Sequence, residues 1–340
     1  MTILQLMGIE GPLRRKVSGF LFQRPPGDPV TRGSQGSATI STGRELLGEK
    51  ECATMLPDLD YLLIGHVCQD VAPPGVHSPF VPGYIFGGTV TYAARTAKAI
   101  GLRVAVVTSA SAEFALGAAL PGIETVRLPS AETTTFENRY LDGHRVQTIH
   151  AIAGSLEIQA VPLEWRRPAV VHLAPLAREV DMQLVSAFPG AFVGVTPQGW
   201  LRQWDHTGRV RPRAWQEAHA ILSCVDAMVM SEEDVNDDWQ LIRDWANYTP
   251  VMVVTQAARG ATMFIEGEPF HVPAPPMREV DPTGAGDIFA TVFFARLQQT
   301  GDPHEAARMA TCLAAHSVTR HGLESVPTPD EAKQCLVSMP

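Results

Sequence analysis

The chain has 340 residues, of which 45% are hydrophobic and 19% charged, a composition that excludes a mostly disordered protein and allows a sizeable core. Its formal net charge of −9 gives no overall attraction to nucleic acid or to an anionic membrane. Lysine is scarce: of the 27 lysine and arginine residues, only four are lysines, namely Lys16, Lys50, Lys98 and Lys333. Because only Lys98 lies well inside the chain, this scarcity disfavours P-loop ATPases, protein kinases and pyridoxal-phosphate enzymes, which depend on a core lysine.

The cysteines and the apolar runs indicate where the protein works. The five cysteines are far apart and form no C-x-x-C pair, so we expect neither a structural zinc site nor a disulfide framework. No apolar run approaches the roughly 18 residues of a membrane span, and the N-terminus lacks the pattern of a secretory signal. The sequence therefore predicts a cytoplasmic protein with reduced cysteines.

Residues 1–55 differ from the rest of the chain. Residues 24–43 are rich in Gly, Pro, Ser and Thr and have almost no large apolar side chain, which predicts a flexible tail. An alternative is that translation begins at Met55, directly before the apolar run at residues 59–65. Both interpretations stay open at this point.

From residue 59 onward, short apolar runs alternate with helical patterns. The predicted buried strands are residues 61–64, 104–107, 170–173, 192–195, 227–230 and 251–254. The predicted helices are residues 90–100, 179–187, 214–222, 238–245, 288–297 and 305–318. This alternation predicts an α/β fold with a parallel sheet covered on both faces.

Two regions interrupt the alternation of strands and helices. Residues 80–86 and 134–149 alternate apolar and polar side chains, and Asp142-Gly143 is a turn signal inside the second region. Half-buried antiparallel strands of this kind predict a small second layer, either a lid over the main sheet or a simple edge hairpin.

The sharpest motif is the run Asp-Pro-Thr-Gly-Ala-Gly-Asp at residues 281–287. Its glycines let the backbone approach a ligand, and a helix pattern follows directly. Since the first turn of a helix has unpaired N–H groups and a partial positive charge, Gly284, Ala285 and Gly286 are predicted to form an anion hole. Asp287 is then either a first-turn acid that the helix dipole stabilises or a base beside a phosphoryl group. The whole motif favours the base.

Residues 281–287 resemble the C-terminal signature of the PfkB (ribokinase-like) carbohydrate kinase family, with Pro282 as a small departure. Gly87-Gly88 resembles the Gly-Gly signature of that family, and Asp70 resembles its substrate-binding aspartate. The segment from Val253 to Ala261 resembles the strand and turn beside the nucleotide. The run at residues 196–202 is similar to that of the inositol-kinase-like branch.

The resemblance implies a fold and a domain organisation. The fold is a ribokinase-like three-layer α/β/α sandwich with a mostly parallel sheet and a small β-strand lid. The kinase domain would span residues 56–330, with lid strands at about 76–86 and 133–149, and residues 331–340 would be a C-terminal tail.

The resemblance also implies ATP-dependent phosphorylation of a hydroxyl on a small sugar or polyol. Asp287 would be the base, and Mg²⁺ would assist the phosphates. The implied substrate-binding residues are Asp70, Gly87 and Gly88. Asn138, on the predicted lid strand, is either a further substrate-binding residue or an exposed strand residue. The implied nucleotide-binding residues are Thr255, Arg259, Gly260, Thr283, Cys312 and His316. Arg139 and Arg202 are further candidate anion contacts.

A departure from the family concerns the metal. Where the family has Asn-x-x-Glu, this chain has Ser231 and Asp234, so we expect Mg²⁺ to be held through water. The alternative is that Ser231 merely caps a helix. Cys312 and His316 share a helix face, and the absence of a further ligand nearby in the sequence favours packing over a metal pair.

A sugar or polyol kinase has three alternatives. A nucleoside (adenosine-like) kinase would use the same motifs, and a non-catalytic ligand sensor would be suggested by the departures at Ser231 and Asp234. A dinucleotide-dependent oxidoreductase is disfavoured because no G-x-G-x-x-G follows an early strand. We expect small-molecule substrates, no nucleic-acid or membrane partner, and a possible homodimer paired through lid edges.

Overall fold

The computed structural model describes residues 59–337, except residues 74, 76–79, 81 and 142–143. The predicted tail, the alternative start at Met55, part of the first lid segment and the Asp142-Gly143 turn lie outside the described residues.

Nine of the strands in the described residues form one central sheet. The strands in chain order are β1 (Tyr61–Ile64), β2 (Cys68–Val71), β3 (Tyr84–Gly87), β4 (Val104–Ala110), β5 (Glu124–Pro129), β6 (Thr134–Leu141), β7 (His144–Ala151), β8 (Val170–Leu173), β9 (Phe192–Val195), β10 (Arg202–Trp204), β11 (Val210–Pro212), β12 (Ala227–Ser231), β13 (Val251–Thr255), β14 (Ala261–Ile265) and β15 (Glu268–Val272). The central sheet has the order β15-β14-β13-β12-β9-β8-β1-β4-β5. Pairing is parallel from β5 to β13, and the β14–β15 hairpin adds antiparallel pairing at one edge.

The helices cover this sheet. They are α1 (Thr89–Ala99), α2 (Leu116–Ala119), α3 (Ala218–Leu222), α4 (Trp239–Trp245), α5 (Ala285–Thr300), α6 (Pro303–Ser317) and α7 (Pro329–Val337). Among the described residues, no helix combines the length and the hydropathy that crossing a membrane would need.

One predicted helix is wrong. Residues 179–187 form only a 3₁₀ turn at Met182–Ser186. The Glu179 carboxylate accepts hydrogen bonds from the amides of Leu176 and Ala177, and Asp181 caps the short turn. These local side-chain bonds to the backbone replace the first turn of the expected helix.

The strands place alternate side chains on opposite faces of the sheet, and each face builds a core. In β1, Tyr61 and Leu63 join the core beneath α1, α5 and α6, whereas Leu62 and Ile64 join the core on the other face. All four β1 side chains are fully buried. The near-continuous apolar runs of the sequence therefore reflect strands buried on both faces, as predicted.

A second, four-stranded sheet has the order β3-β2-β6-β7, and we call it the lid. The β6–β7 and β2–β3 pairs are antiparallel, and β2 pairs with β6 in parallel. The hairpin β10–β11 lies beside β7, where the amide of Ile149 donates to the carbonyl of Gly208 at 2.8 Å. Strand β2, which contributes Asp70, was not predicted, because it has only four residues and no clear alternation.

The expectation that no disulfide forms is wrong. Cys312 in α6 and Cys335 in α7 are joined, with their Cα atoms 5.8 Å apart. Their sequence separation of 23 gives no signal of a disulfide, since it is the packing of α7 against α6 that brings the two cysteines together.

Candidate active site

The first part of the site lies where β1 ends and the lid begins. Asp70, in β2, lies over the backbone of Gly87 at the end of β3, and a Cβ atom on Gly87 would overlap the Asp70 carboxylate. Gly88 follows with φ of 88° and precedes α1, so only glycine takes this position without strain. The predicted substrate residues Asp70, Gly87 and Gly88 are therefore brought together.

The second part is the turn that precedes α5, and Asp281 holds it in place. One oxygen of Asp281 accepts from the amide of Thr283 at 2.9 Å and the other from the amide of Gly322 at 2.9 Å. Burial acts to raise the pKa of Asp281, but these hydrogen bonds outweigh it and the pKa lies below its ordinary value. The carbonyl of Val318 accepts from the amides of Val280 and Asp281, so the segment after α6 anchors the turn.

The start of α5 has the shape of an anion site. Gly284 has φ of 83°, and a Cβ atom there would overlap the ring of Tyr92. The first helical bond runs from the amide of Ile288 to the carbonyl of Gly284. The amide of Ala285 already donates to the carbonyl of Pro282 at 3.2 Å. At Gly286 a Cβ atom would meet no atom within 4 Å, so an anion has room beside this first-turn amide.

The carboxylates of Asp287 and Asp70 both raise the pKa of the same two side chains, Cys68 and Tyr92. Burial raises the pKa of the Cys68 thiol, and the carboxylates of Asp70 and Asp287 raise it further. Burial also raises the pKa of the Tyr92 hydroxyl, with further contributions from Asp281, Asp287 and Asp70. The geometry agrees in bringing the two regions together, because Gly284 at the start of α5 lies against the ring of Tyr92 in α1, and α1 begins directly after Gly88.

The third part of the site joins β12 and β13, whose carboxyl ends lie side by side with Ser231 opposite Thr255. Thr255 donates to the carbonyl of Met230 at 3.3 Å. The turn after β13 is tied back to β12, because Arg259 forms an ion pair with Glu232. The residues predicted to contact the nucleotide from this segment therefore form one cluster at the same edge of the sheet as β1.

Ser231 and Asp234 form a capping box. The Ser231 hydroxyl accepts from the amide of Glu233 at 3.2 Å, and Asp234 accepts from the amide of Ser231 at 3.0 Å. The other Asp234 oxygen accepts from the Gln198 side chain at 3.2 Å. The capping interpretation thus describes these residues, and their contact with a magnesium-bound water stays a prediction.

The remaining polar candidates lie in different places. Asn138 is in the lid and accepts from the Gln147 side chain at 2.9 Å across the β6–β7 pair. The side chain of Arg139 is 69% exposed and is paired with Glu137. Arg202 lies over the Phe136 ring, 5.7 Å from its centroid, and lowers the pKa of Cys68, so it belongs to the substrate side.

Cys312 and His316 lie in α6, where Cys312 is bonded to Cys335. The argument that no further ligand lies near this pair is wrong, because Cys335 supplies one. Contact of Cys312 and His316 with the nucleotide stays a prediction.

Sequence reasoning missed three residues that shape the site. Tyr92 supports Gly284, Glu232 holds Arg259, and the buried Glu179 binds the backbone of the β1–β2 turn through the amide of His66. The signal that the sequence offers for Tyr92 is its place in the helix pattern directly after Gly87-Gly88. Glu179 and Glu232 gave none, because their partners are 113 and 27 residues away.

Comparison with known proteins agrees with this geometry. Residues 200–331 match the family described as pfkB family carbohydrate kinase. A cytidine kinase from Thermococcus kodakarensis is 25% identical over 282 residues, which are 78% of this chain and 98% of that kinase. A fructokinase from Klebsiella pneumoniae is 29% identical over 240 residues, which are 63% of this chain and 77% of that enzyme.

Solved structures with the same fold support the comparison. A pyrophosphate-dependent kinase in the ribokinase family, complexed with a pyrophosphate analog and myo-inositol, has a TM-score of 0.67 at 20% identity and covers 82% of this chain and 100% of that one. The ribokinase of Arabidopsis thaliana, complexed with ribose and ATP, has a TM-score of 0.62 at 18% identity and covers 82% and 98%. The predicted fold is confirmed: the chain has the ribokinase-like fold, and its residues 200–331 match the pfkB family carbohydrate kinase model.

Proposed function

We propose that this protein is an ATP-dependent phosphotransferase that phosphorylates a hydroxyl of a small sugar or polyol. The family match and the two kinases among its relatives support kinase activity. The single observation that carries the proposal is the open space beside the first-turn amide of Gly286, directly next to Asp287 in a helix terminus that packs through Gly284 against Tyr92.

In the proposed mechanism, Asp70 and the backbone of Gly87 and Gly88 orient the acceptor. The Asp287 carboxylate takes the proton of the acceptor hydroxyl. The hydroxyl oxygen then forms a bond to the γ-phosphorus of ATP while the bond to the bridging oxygen breaks, releasing ADP. The amides of Gly284 and Gly286, with Ala285 between them, stabilise the charge on the γ-phosphoryl oxygens.

The residues around β12 are compatible with Mg²⁺ bound through water. A carboxylate has about four lone-pair sites, and Asp234 uses one site on each oxygen for Gln198 and Ser231. Asp234 therefore retains acceptor capacity for a magnesium-bound water. When bound, Mg²⁺ would neutralise phosphate charge that no lysine neutralises here.

The nucleotide would lie along the β12–β13 edge. We propose that Thr255, Arg259 and Gly260 border it on one side and Thr283 on the other, with Cys312 and His316 further along α6. The ion pair between Glu232 and Arg259 would fix this border before the nucleotide binds.

A second candidate is a nucleoside kinase, and the cytidine kinase that aligns with 78% of this chain favours it. The two candidates share the phosphoryl chemistry and differ only in the acceptor. Asn138 in the lid and Arg202 beside Phe136 are the side chains that we expect to discriminate between them.

The test is ADP release by the full-length protein with Mg·ATP and a panel of fructose, ribose, myo-inositol, cytidine and adenosine, with pyrophosphate as an alternative donor. A preference in kcat/KM for a sugar or polyol supports the proposal, and a preference for a nucleoside supports the second candidate. Absence of acceptor-dependent turnover with ATP binding intact would contradict both and favour a non-catalytic ligand sensor.

The base assignment has its own test, Asp287→Asn. We expect turnover to fall by roughly three or more orders of magnitude while ATP affinity is nearly kept. Asp302→Asn is the matched control, because Asp302 caps α6 through the amides of His304 and Glu305 and asparagine also caps helices. A D287N variant that keeps more than about a tenth of the wild-type kcat would contradict the assignment.

A further inference from the structure

Cys312, His316 and Cys335 form a cluster that takes no part in the chemical steps of phosphoryl transfer, although two of its members are proposed to lie along the nucleotide border. Their ligand atoms all lie within 4.8 Å of one another. Cys312 and His316 are one helical turn apart on α6, and Cys335 comes from α7. In the structure the two sulfur atoms are joined as a disulfide.

We propose that, when the two cysteines are reduced, Cys312, His316 and Cys335 bind one zinc ion. Two thiolates and an imidazole are a ligand set that Zn²⁺ prefers. Around a tetrahedral zinc ion, bonds of about 2.3 Å to sulfur and about 2.0 Å to nitrogen place the ligand atoms roughly 3.5–3.8 Å apart. The three ligand atoms therefore need only small side-chain rotations once the disulfide opens.

Among the described residues, the metal-ligating atoms gathered here come from these three side chains, which leaves the fourth position of a tetrahedral ion to water. Glu331, an acid on α7, accepts hydrogen bonds from the Arg320 guanidinium on both carboxylate oxygens, at 2.6 and 3.1 Å. It also accepts one from the amide of Thr328. Cys312 and His316 are half-buried, whereas Cys335 is 1% exposed. The two α6 ligands are thus in part accessible to solvent, whereas the ligand from α7 is not.

The disulfide and the zinc site are two states of the same residues. Opening the disulfide takes two electrons and two protons from a thiol reductant, which is itself oxidised to a disulfide. Zinc binding then releases the two thiol protons to water as the two metal–sulfur bonds form. In either state α7 is fixed to α6. The segment that follows α6 contains Val318 and Gly322, whose backbone groups form hydrogen bonds with Asp281.

The test uses Co²⁺ as a spectroscopic probe with the full-length protein, reduced by a phosphine under argon. We expect one Co²⁺ per chain, a sulfur-to-cobalt charge-transfer band and its loss on addition of Zn²⁺. Cys312→Ser and Cys335→Ser should remove the charge-transfer band or weaken binding at least tenfold, and His316→Gln should weaken it by about tenfold or more. Cys224→Ser is the control, because Cys224 is an exposed free cysteine and should leave the spectrum unchanged.

Three results would overturn the proposal. One is a reduced wild-type protein that gives no charge-transfer band. Another is a Cys335→Ser or His316→Gln variant that binds Co²⁺ as the wild type does. The third is a disulfide that the phosphine does not open in the folded protein. If a cysteine variant fails to fold, His316→Gln keeps the test decisive. His316 is only half-buried, and this variant retains both Cys312 and Cys335.

Discussion

Gly284 and Gly286 are two residues apart but have different surroundings. Gly284 has a positive φ and lies against the Tyr92 ring, whereas Gly286 faces open space at the same helix terminus. A methyl group at Gly286 would therefore occupy the volume proposed for the phosphoryl group without disturbing the protein itself. This contrast separates a role in folding from a role in binding.

We expect Gly286→Ala to leave the free energy of unfolding unchanged or raise it by up to about 1 kcal/mol, because alanine favours a helix. Its turnover should fall at least tenfold. Gly117→Ala, also in a helix and facing open space, is the control and should keep wild-type turnover. Urea unfolding and ADP release measure the two quantities. Wild-type kcat in G286A would contradict the anion-hole assignment.

His172 predicts a dependence of stability on pH. The side chain is fully buried between Tyr61 and Thr196, and burial lowers its pKa from 6.5 to about 3. Below the ordinary pKa the unfolded chain takes up a proton that the folded protein does not, so stability falls as pH falls through this window. Between about pH 7.5 and about pH 5 the loss is on the order of 2 kcal/mol.

The measurement is urea unfolding of the wild type and of His172→Gln at these two pH values. The variant cannot be protonated there, so its stability should depend less on pH by about the same 2 kcal/mol. His206→Gln, at an exposed position, should behave as the wild type does. An equal pH dependence in H172Q and wild type would show that His172 is not the group responsible.

At the scale of secondary structure, Glu179 joins elements that are distant in sequence. Its carboxylate accepts from the amides of His66, Leu176 and Ala177, at 3.0, 2.9 and 2.6 Å. It therefore fixes the turn between β1 and β2 against the segment after β8, and Asp70 lies in β2.

Glu179→Gln replaces one accepting oxygen by a donor that faces backbone amides. We expect unfolding to cost about 1–3 kcal/mol less, because a buried amide loses its partner. Because the β1–β2 turn loses part of its support, we expect strand β2, which carries Asp70, to shift. The KM for the acceptor should therefore rise while the KM for ATP stays close to wild type. Glu164→Gln, at an exposed position, is the control. An unchanged acceptor KM in E179Q would limit Glu179 to a structural role.

Which elements could be predicted from sequence depends on where their stabilising contacts lie. Strands such as β1, β8 and β9 were predicted with their observed bounds, because burial on both faces leaves a continuous apolar run. The motif at residues 281–287 was also recognisable, since its turn and helix start are local. The β14–β15 hairpin, strand β2 and the contacts of Glu179 and Glu232 could not be predicted, because tertiary pairing rather than local pattern stabilises them.

For the whole molecule, the predicted boundary between tail and kinase domain can be tested directly. If residues 1–55 contribute no chemistry, a chain that starts at Met55 should keep kcat and both KM values within about twofold, because the proposed site is built from residues 66–322. Activity and thermal unfolding of the two chains, compared at equal concentration, measure this. A large loss of turnover in the shorter chain would place part of the function before residue 55.

Helix α1 begins directly after Gly88 and carries Lys98 in its last turn. Lys98 donates to the carbonyls of Pro121 and Gly122, at 2.6 and 3.0 Å, at the far end of α1 from Gly88. Since α1 has 11 residues and rises about 1.5 Å per residue, this amine lies roughly 15 Å from the glycine pair. An amine-reactive dye coupled to Lys98 would therefore attach at the end of α1 that lies away from the glycine pair.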